Sequence, residues 1–283
     1  MTVGIVGLGI IGGSMAGAIK KNTAHCVLAR DINPEALERD VLLGYVDGPL
    51  TDEKLQECDI LILALYPKIC MQVLEQMAPA IGSHTVVVDC SGIKRNICRQ
   101  GKELSEKYGW TFVGGHPMAG KEVWGYQAAN ANLFSGASMI LTPDGGIDIE
   151  VLSNIKKFFL EAGFGTVTIR TPEDHDRIIA YTSQLAHVLS SFYVMSPTAK
   201  EHRGLSAGSF RDMTRVAVIN GQMWSDIFIE NKDNLISEID RLIHDLTEYR
   251  DAIVNEDRAT LVEMMNRSTE IKKEISKPGP RRN

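Results

Sequence analysis

Three glycines, an aspartate and a histidine carry most of the chemistry legible in this chain. Gly7, Gly9 and Gly12 form G-x-G-x-x-G within VGIVGLGIIGGS, directly after a short apolar run and at the start of a helical one. The pattern suits a pyrophosphate: Gly7 permits a tight turn, Gly9 lets phosphate approach the backbone, and Gly12 lets strand and helix pack closely. Leu8, Ile10 and Ile11 complete the loop, whose helix start presents free N–H groups to an anion. Asp31 lies nineteen residues past Gly12, at the end of a second strand-like run, where an acid binds an adenosine ribose. A carboxylate repels a 2′-phosphate, so NAD is the expected cofactor. Arg30 beside it is the residue type that accepts such a phosphate, which leaves NADP open. Leu65 and Tyr66, closing CDILILALY, are expected on the same crevice.

The second chemical feature is His116. It stands in VGGHPMAGKEVWG, Val113 to Gly125, with glycines at 114, 115, 120 and 125 and Pro117. That composition reads as an open loop and not as a packed strand or helix. Oxidising an alcohol with a nicotinamide needs a hydride acceptor and a base for the hydroxyl proton, and a neutral imidazole suits the second task. Alternatively, His116 is a loop histidine bonded to backbone.

The elements that must position these residues follow from periodicity. TVGIVG, AHCVLARD, CDILILALY and HTVVVDCS are nearly continuous apolar runs, as in strands buried on both faces. Helical segments starting near Ile11 and Pro34, at Met71–Met77 and at Arg95–Tyr108 separate them. This is the βαβ order of a doubly wound, mostly parallel nucleotide-binding (Rossmann-type) sheet. ASMILT and TVTIR are expected to extend it, joined by a helix ending at Gly163. After Arg170, TPEDHD sets Thr171 as N-cap, Pro172 at the first helical position and Asp174 as the box acid. A long apolar helix to about Ser196 and further helices follow, without strand signals. The chain is therefore expected to divide into residues 1–170, α/β, and 171–283, all-α. The helix around residues 178–195 is apolar on more than one face, which predicts a homodimer formed through the helical domain.

Composition narrows the class. The net charge is −6, from 36 acids against 30 bases, which argues against a nucleic-acid partner. No apolar run approaches the roughly 18–20 residues of a membrane span. The five cysteines form no C-x-x-C pair, so no metal site is expected and a reduced, cytoplasmic setting is.

GIVGLGIIGGS, RDINPEAL, VVDCSGIK, FVGGHPMAGKE, FRDMTRVA and MWSDIFIENK occur in this order over about residues 3 to 250. Together they resemble the prephenate/arogenate dehydrogenases of tyrosine biosynthesis, and GGHPMAG and FRDMTR are far more specific than the glycine loop. The resemblance implies a nucleotide-binding domain followed by a helical dimerisation domain. It implies that His116 is the catalytic histidine, that Arg215 holds a substrate carboxylate, that His187 lines the substrate pocket and that Glu122 is an acid following the histidine segment. Three positions depart from the commoner pattern. The family often has Gly-Ser-x-Lys, its serine touching the catalytic histidine, where this chain has Ser91-Gly92-Ile93-Lys94; Lys121 stands where Thr or Ser is frequent, and Gln184 where His is frequent.

Ser91 is accordingly expected at the catalytic centre, with Lys121 and Gln184 beside the substrate. The residues alone leave other roles open. Arg215 can cap or pair on a helix surface, His187 can be a satisfied core histidine, Trp124 and Trp224 can be packing, and Lys94 a solvated helix start. The implied reaction is NAD-linked oxidative decarboxylation of prephenate to 4-hydroxyphenylpyruvate. Rivals are arogenate oxidation to tyrosine, with NAD or NADP, a β-hydroxyacid-type dehydrogenase, and a non-catalytic NAD sensor.

Overall fold

The computed structural model describes residues 1–120, 123 and 125–277. Eight strands form one sheet: β1 (Thr2–Val6), β2 (Cys26–Arg30), β3 (Gly48–Pro49), β4 (Ile60–Leu63), β5 (Val86–Asp89), β6 (Thr111–Pro117), β7 (Ser138–Pro143) and β8 (Thr166–Ile169). Their order is β3-β2-β1-β4-β5-β6-β7-β8. All neighbours run parallel except β6 and β7. Strand order reverses between β1 and β4, and ligands of open α/β sheets bind at such a switch, beyond the carboxyl ends of the strands.

Both faces of the sheet are covered, so alternate residues of one strand enter different cores. Ile60 and Ile62 of β4 join the side packed by α1 (Ile10–Asn22), α2 (Pro34–Leu42) and α5 (Ile149–Glu161). Leu61 and Leu63 join the side packed by α3 (Pro67–Met77) and α4 (Arg95–Tyr108). The expected start of α3 near Met71 moves to Pro67, because proline fits the first helical turn, where its missing N–H costs nothing.

The segment read as an open loop begins as a strand. Val113–Pro117 belongs to β6, and His116 pairs with Ile140 of β7. The glycines here serve close approach. A Cβ at Gly115 would lie 2.4 Å from the Asp89 carbonyl oxygen, and one at Gly114 would lie 2.2 Å from Thr142 Oγ1.

No strand follows Ile169 among the described residues. The expected long helix is α6 (Pro172–Ile179) and α7 (Leu185–Val194), joined by a π turn at Ala180–Gln184. The N-cap of α6 is Thr171, whose Oγ1 accepts from Asp174 N–H at 3.1 Å. Next come α8 (Gly208–Thr214) and α9 (Gly221–Glu230). By contact density the chain forms two compact units, Met1–Lys232 and Asp233–Asn283. The second consists of α10 (Lys232–Val254), apart from its first residue, and α11 (Arg258–Ile275).

Candidate active site

The glycine turn sits where β1 passes into α1. Gly7 has φ +91°, and a Cβ there would lie 2.6 Å from the Ala64 carbonyl oxygen past β4. A Cβ at Gly12 would fall 1.8 Å from the Gly7 carbonyl oxygen, so no larger residue fits that strand–helix contact. Gly9 is the N-cap of α1 and opens onto free space. The first turn of α1 has neither a side-chain cap nor an acid, which leaves its N–H dipoles to an anion. Asp31 follows β2, and its carboxylate accepts from Leu8 N–H at 2.6 Å and Asn33 N–H at 2.8 Å. Arg30 is tied to Asp52 at 2.7 Å. Leu65 packs against the turn, whereas Tyr66 caps α3 and is exposed. These residues fit a dinucleotide.

His116 lies on the same carboxyl edge of the sheet. β6 overruns β5, whose last bridge in this pair is Val88 to Val113, so His116 stands over the turn of residues 90–94. A Cβ at Gly92 would come within 3.8 Å of His116 Nε2. On the other side, His116 Nδ1 is 2.8 Å from His175 Nε2, and His175 Nδ1 is 2.7 Å from Asp176 Oδ1. The two rings meet edge to face.

Asp176 is held from several directions. It accepts from the Lys94 and Arg95 backbone N–H groups at 2.8 and 3.0 Å and from Arg95 Nε at 3.3 Å. It thereby caps α4 from another helix and locks α6 against the end of β5. Burial opposes its charged form, but the bonds from His175 and from these amides outweigh it and hold the carboxyl below its usual range. Burial, and then the charges of His175 and Lys94, push the His116 imidazole well below its ordinary 6.5. Burial also lowers His175, against its bond to Asp176. Both rings are therefore neutral at pH 7.

Below them lies an ion pair without solvent access. Lys94 and Asp89 are both fully buried, and Lys94 Nζ donates to Asp89 Oδ2. Lys94 is thus not a solvated helix start. Asp89 also accepts from Ser91 Oγ and from the Ser91 and Gly115 N–H groups, the latter at 2.9 and 3.0 Å. The Ser91 hydroxyl is committed to this pair, and Lys94 Nζ lies 3.3 Å from it. Among the described residues it makes no hydrogen bond to His116, so the contact expected of Ser91 is absent. The one-residue displacement puts Gly92, and not the serine, beside the ring.

The remaining expected site residues form two further groups. His187 on α7 has Nδ1 3.0 Å from the carbonyl oxygen of Val216, the residue after Arg215, and its ring lies 3.8 Å from that of Trp224. Arg215 follows α8 as its C-cap and is exposed. Gln184 is fully buried, and its Oε1 accepts from Asn231 Nδ2 at 2.9 Å. Asn231 in turn donates to the Asp176 carbonyl at 2.8 Å. Gln184 is thus linked through Asn231 to the backbone of Asp176, and a substrate contact would require it to leave these bonds. Lys121, Glu122 and Trp124 lie outside the described residues.

Spacing did not reveal His175 and Asp176, although both lie in TPEDHD. Adjacent helical residues do not share a face, and the motif reads locally as a helix cap. Their partners come from β6 and the start of α4, which only folding brings near.

A dinucleotide turn and a neutral imidazole on one edge of a doubly wound sheet define the class as an α/β oxidoreductase with a helical C-terminal part. Comparison with known proteins narrows it. The model of the prephenate dehydrogenase nucleotide-binding domain matches residues 15–168, and that of the dimerization domain matches 171–267. With matches over both parts, the chain belongs to the prephenate dehydrogenase family. It is 31% identical to a cyclohexadienyl dehydrogenase of Zymomonas mobilis, over 94% of this chain and 93% of that one. Its fold superposes with TM-score 0.82 on an A. aeolicus prephenate dehydrogenase in complex with hydroxyphenyl propionate and NAD+, at 29% identity and covering 98% of each chain. A Synechocystis arogenate dehydrogenase superposes at 0.83, with 25% identity, over 97% of this chain and all of that one.

Proposed function

We propose that this dehydrogenase oxidatively decarboxylates prephenate to 4-hydroxyphenylpyruvate with NAD, in tyrosine biosynthesis in the cytoplasm. The observation that carries the reading is His116: a neutral imidazole on the sheet edge that also bears the glycine turn, its Nδ1 bonded to His175 and its Nε2 beside the space over Gly92. Gly7, Gly9, Gly12 and Asp31 would hold NAD, which supplies the hydride acceptor when bound. His116 Nε2 takes the proton of the ring hydroxyl as hydride leaves the carbon that bears it. The bond from the ring to its carboxylate then breaks, the electron pair enters the ring, and CO₂ leaves an aromatic product. Aromatisation makes the sequence effectively irreversible. The Arg30–Asp52 pair supports NAD over NADP, because Arg30, the cation next to Asp31 in sequence, already has an anionic partner.

Arogenate oxidation to tyrosine is the second reading, supported by the comparable superposition, TM-score 0.83, on the Synechocystis arogenate dehydrogenase. A β-hydroxyacid-type dehydrogenase and an NAD sensor are less well supported. The fold resembles an imine reductase only at TM-score 0.53, and a sensor has no use for paired neutral histidines. Absorbance of reduced nucleotide, followed with prephenate or arogenate and with NAD or NADP, tests the assignment; no turnover in any combination would overturn it.

Arg215 is assigned to a substrate carboxylate. Arg215→Ala is expected to raise KM for the substrate by roughly 30-fold, about 2 kcal/mol, with kcat within a few-fold. Lowered kcat at unchanged KM would contradict ground-state binding.

The boundary near residue 170 and the homodimer belong to the same proposal. The two family matches meet between residues 168 and 171. Within the second unit, Ile236, Ile243, Leu246 and Ile253 of α10 are exposed, at spacings of seven and three that make one apolar stripe. No residue of α11 is buried. A second copy would cover these faces. Sedimentation at micromolar concentration is expected to give twice the chain mass, and a monomer would refute the dimer.

A further inference from the structure

We propose that His175 is the positioning residue that sets the tautomer of His116. This rests on the reading of His116 as the base. The Asp176 carboxylate is acceptor only, so His175 Nδ1, 2.7 Å away, carries a proton. A neutral His175 then has a lone pair on Nε2. That lone pair accepts the Nδ1–H of His116 across 2.8 Å. His116 is left with a bare Nε2, the nitrogen that does the chemistry.

Two further observations support this order of protons. Nε2 is the atom nearest the space over Gly92, 3.8 Å from a Cβ built there. The hydroxyl next to Gly92, that of Ser91, is already spent on Asp89. With no serine beside the ring, orientation of His116 falls to the partner on α6. Free imidazole in water prefers its proton on the other nitrogen, so the tautomer needs a fixed partner. The Asp–His pair of a serine-protease triad does the same work, and a wrong tautomer there costs about 10⁴ in kcat.

The charged and titratable groups around His175 are His116 from β6, Asp176 on its own helix, Lys94 and Arg95 at the start of α4, and Asp89 at the end of β5. Among the described residues only Asp176 bonds its Nδ1, which sets the direction of the chain.

Nitrogen-15 correlation spectra of the histidine rings test the proposal in the unaltered protein at pH 7.5. His116, identified by the signal lost in His116→Asn, is expected to show a protonated Nδ1 and a pyridine-type Nε2. A protonated Nε2 overturns the proposal. His175→Leu is expected to shift His116 to the Nε2–H form and lower kcat by about 100-fold, with NAD affinity unchanged. His175→Gln offers an amide oxygen to His116 Nδ1–H and is expected to keep kcat within a few-fold of the parent. Parent-like turnover in His175→Leu, with His116→Asn inactive, would refute the positioning role alone. Parent-like turnover in His116→Asn would refute the base as well.

Discussion

His116→Asn is expected to lower kcat by about 10²–10⁴, roughly 3–5 kcal/mol of barrier, while NAD still binds. Asparagine is close to histidine in reach and can still bond His175, but it has no basic nitrogen to face the substrate. The glycine turn is built from β1, α1 and the end of β4, so its affinity for NAD is independent of this side chain. Calorimetric titration with NAD beside steady-state turnover checks both halves. Near-normal kcat would remove His116 as base.

The acid limb of kcat/KM should accordingly lie below pH 6.5, the ordinary histidine value, since burial holds His116 well below it. Stability should follow the same window. Both histidines have lowered values in the folded chain, so the unfolded chain binds more protons once the pH falls below about 6.5. The contribution is complete above 6.5 and is lost as the pH falls from there towards the folded-state values. His116→Asn should flatten part of that acid dependence in urea titrations.

Lys94→Met carries the largest expected loss of stability, about 3–5 kcal/mol, because it strands a buried carboxylate. Lys94 and Asp89 are both without solvent access, and methionine matches the lysine stem without its charge. Asp89 retains its bonds from Ser91 and Gly115, which is too little for an ionised group in that position. A total stability of 5–15 kcal/mol is usual for a domain, so the loss is a large part of the whole. Removing the stranded charge as well, in Asp89→Asn with Lys94→Met, should recover part of it. Urea unfolding of the single and double variants decides the matter; equal destabilisation in both would contradict the charge argument. Activity should fall in step, since Asp89 receives the Gly115 N–H next to His116.

Much of the scaffold was legible before folding. Continuous apolar runs announce strands buried on both faces, and Pro34, Thr171 and Gly7 mark turns and helix starts by local stereochemistry. The segment at His116 misled for a physical reason. Gly114 and Gly115 look like loop residues, yet they are glycine because Asp89 and Thr142 leave no room for a Cβ. Such crowding comes from neighbouring strands and leaves no periodic trace.

By itself the sequence determined a glycine turn, an acid after the second strand, a candidate base and a doubly wound sheet followed by helices, since each depends on contacts within a few residues or on apolar periodicity. The tertiary structure alone decided what His116 touches: His175, 59 residues away, and through it the Asp176 carboxylate that caps α4 across 82 residues. Hydrogen bonds between elements depend on strand order and on how one helix crosses another, and that geometry exists only once the whole sheet has formed.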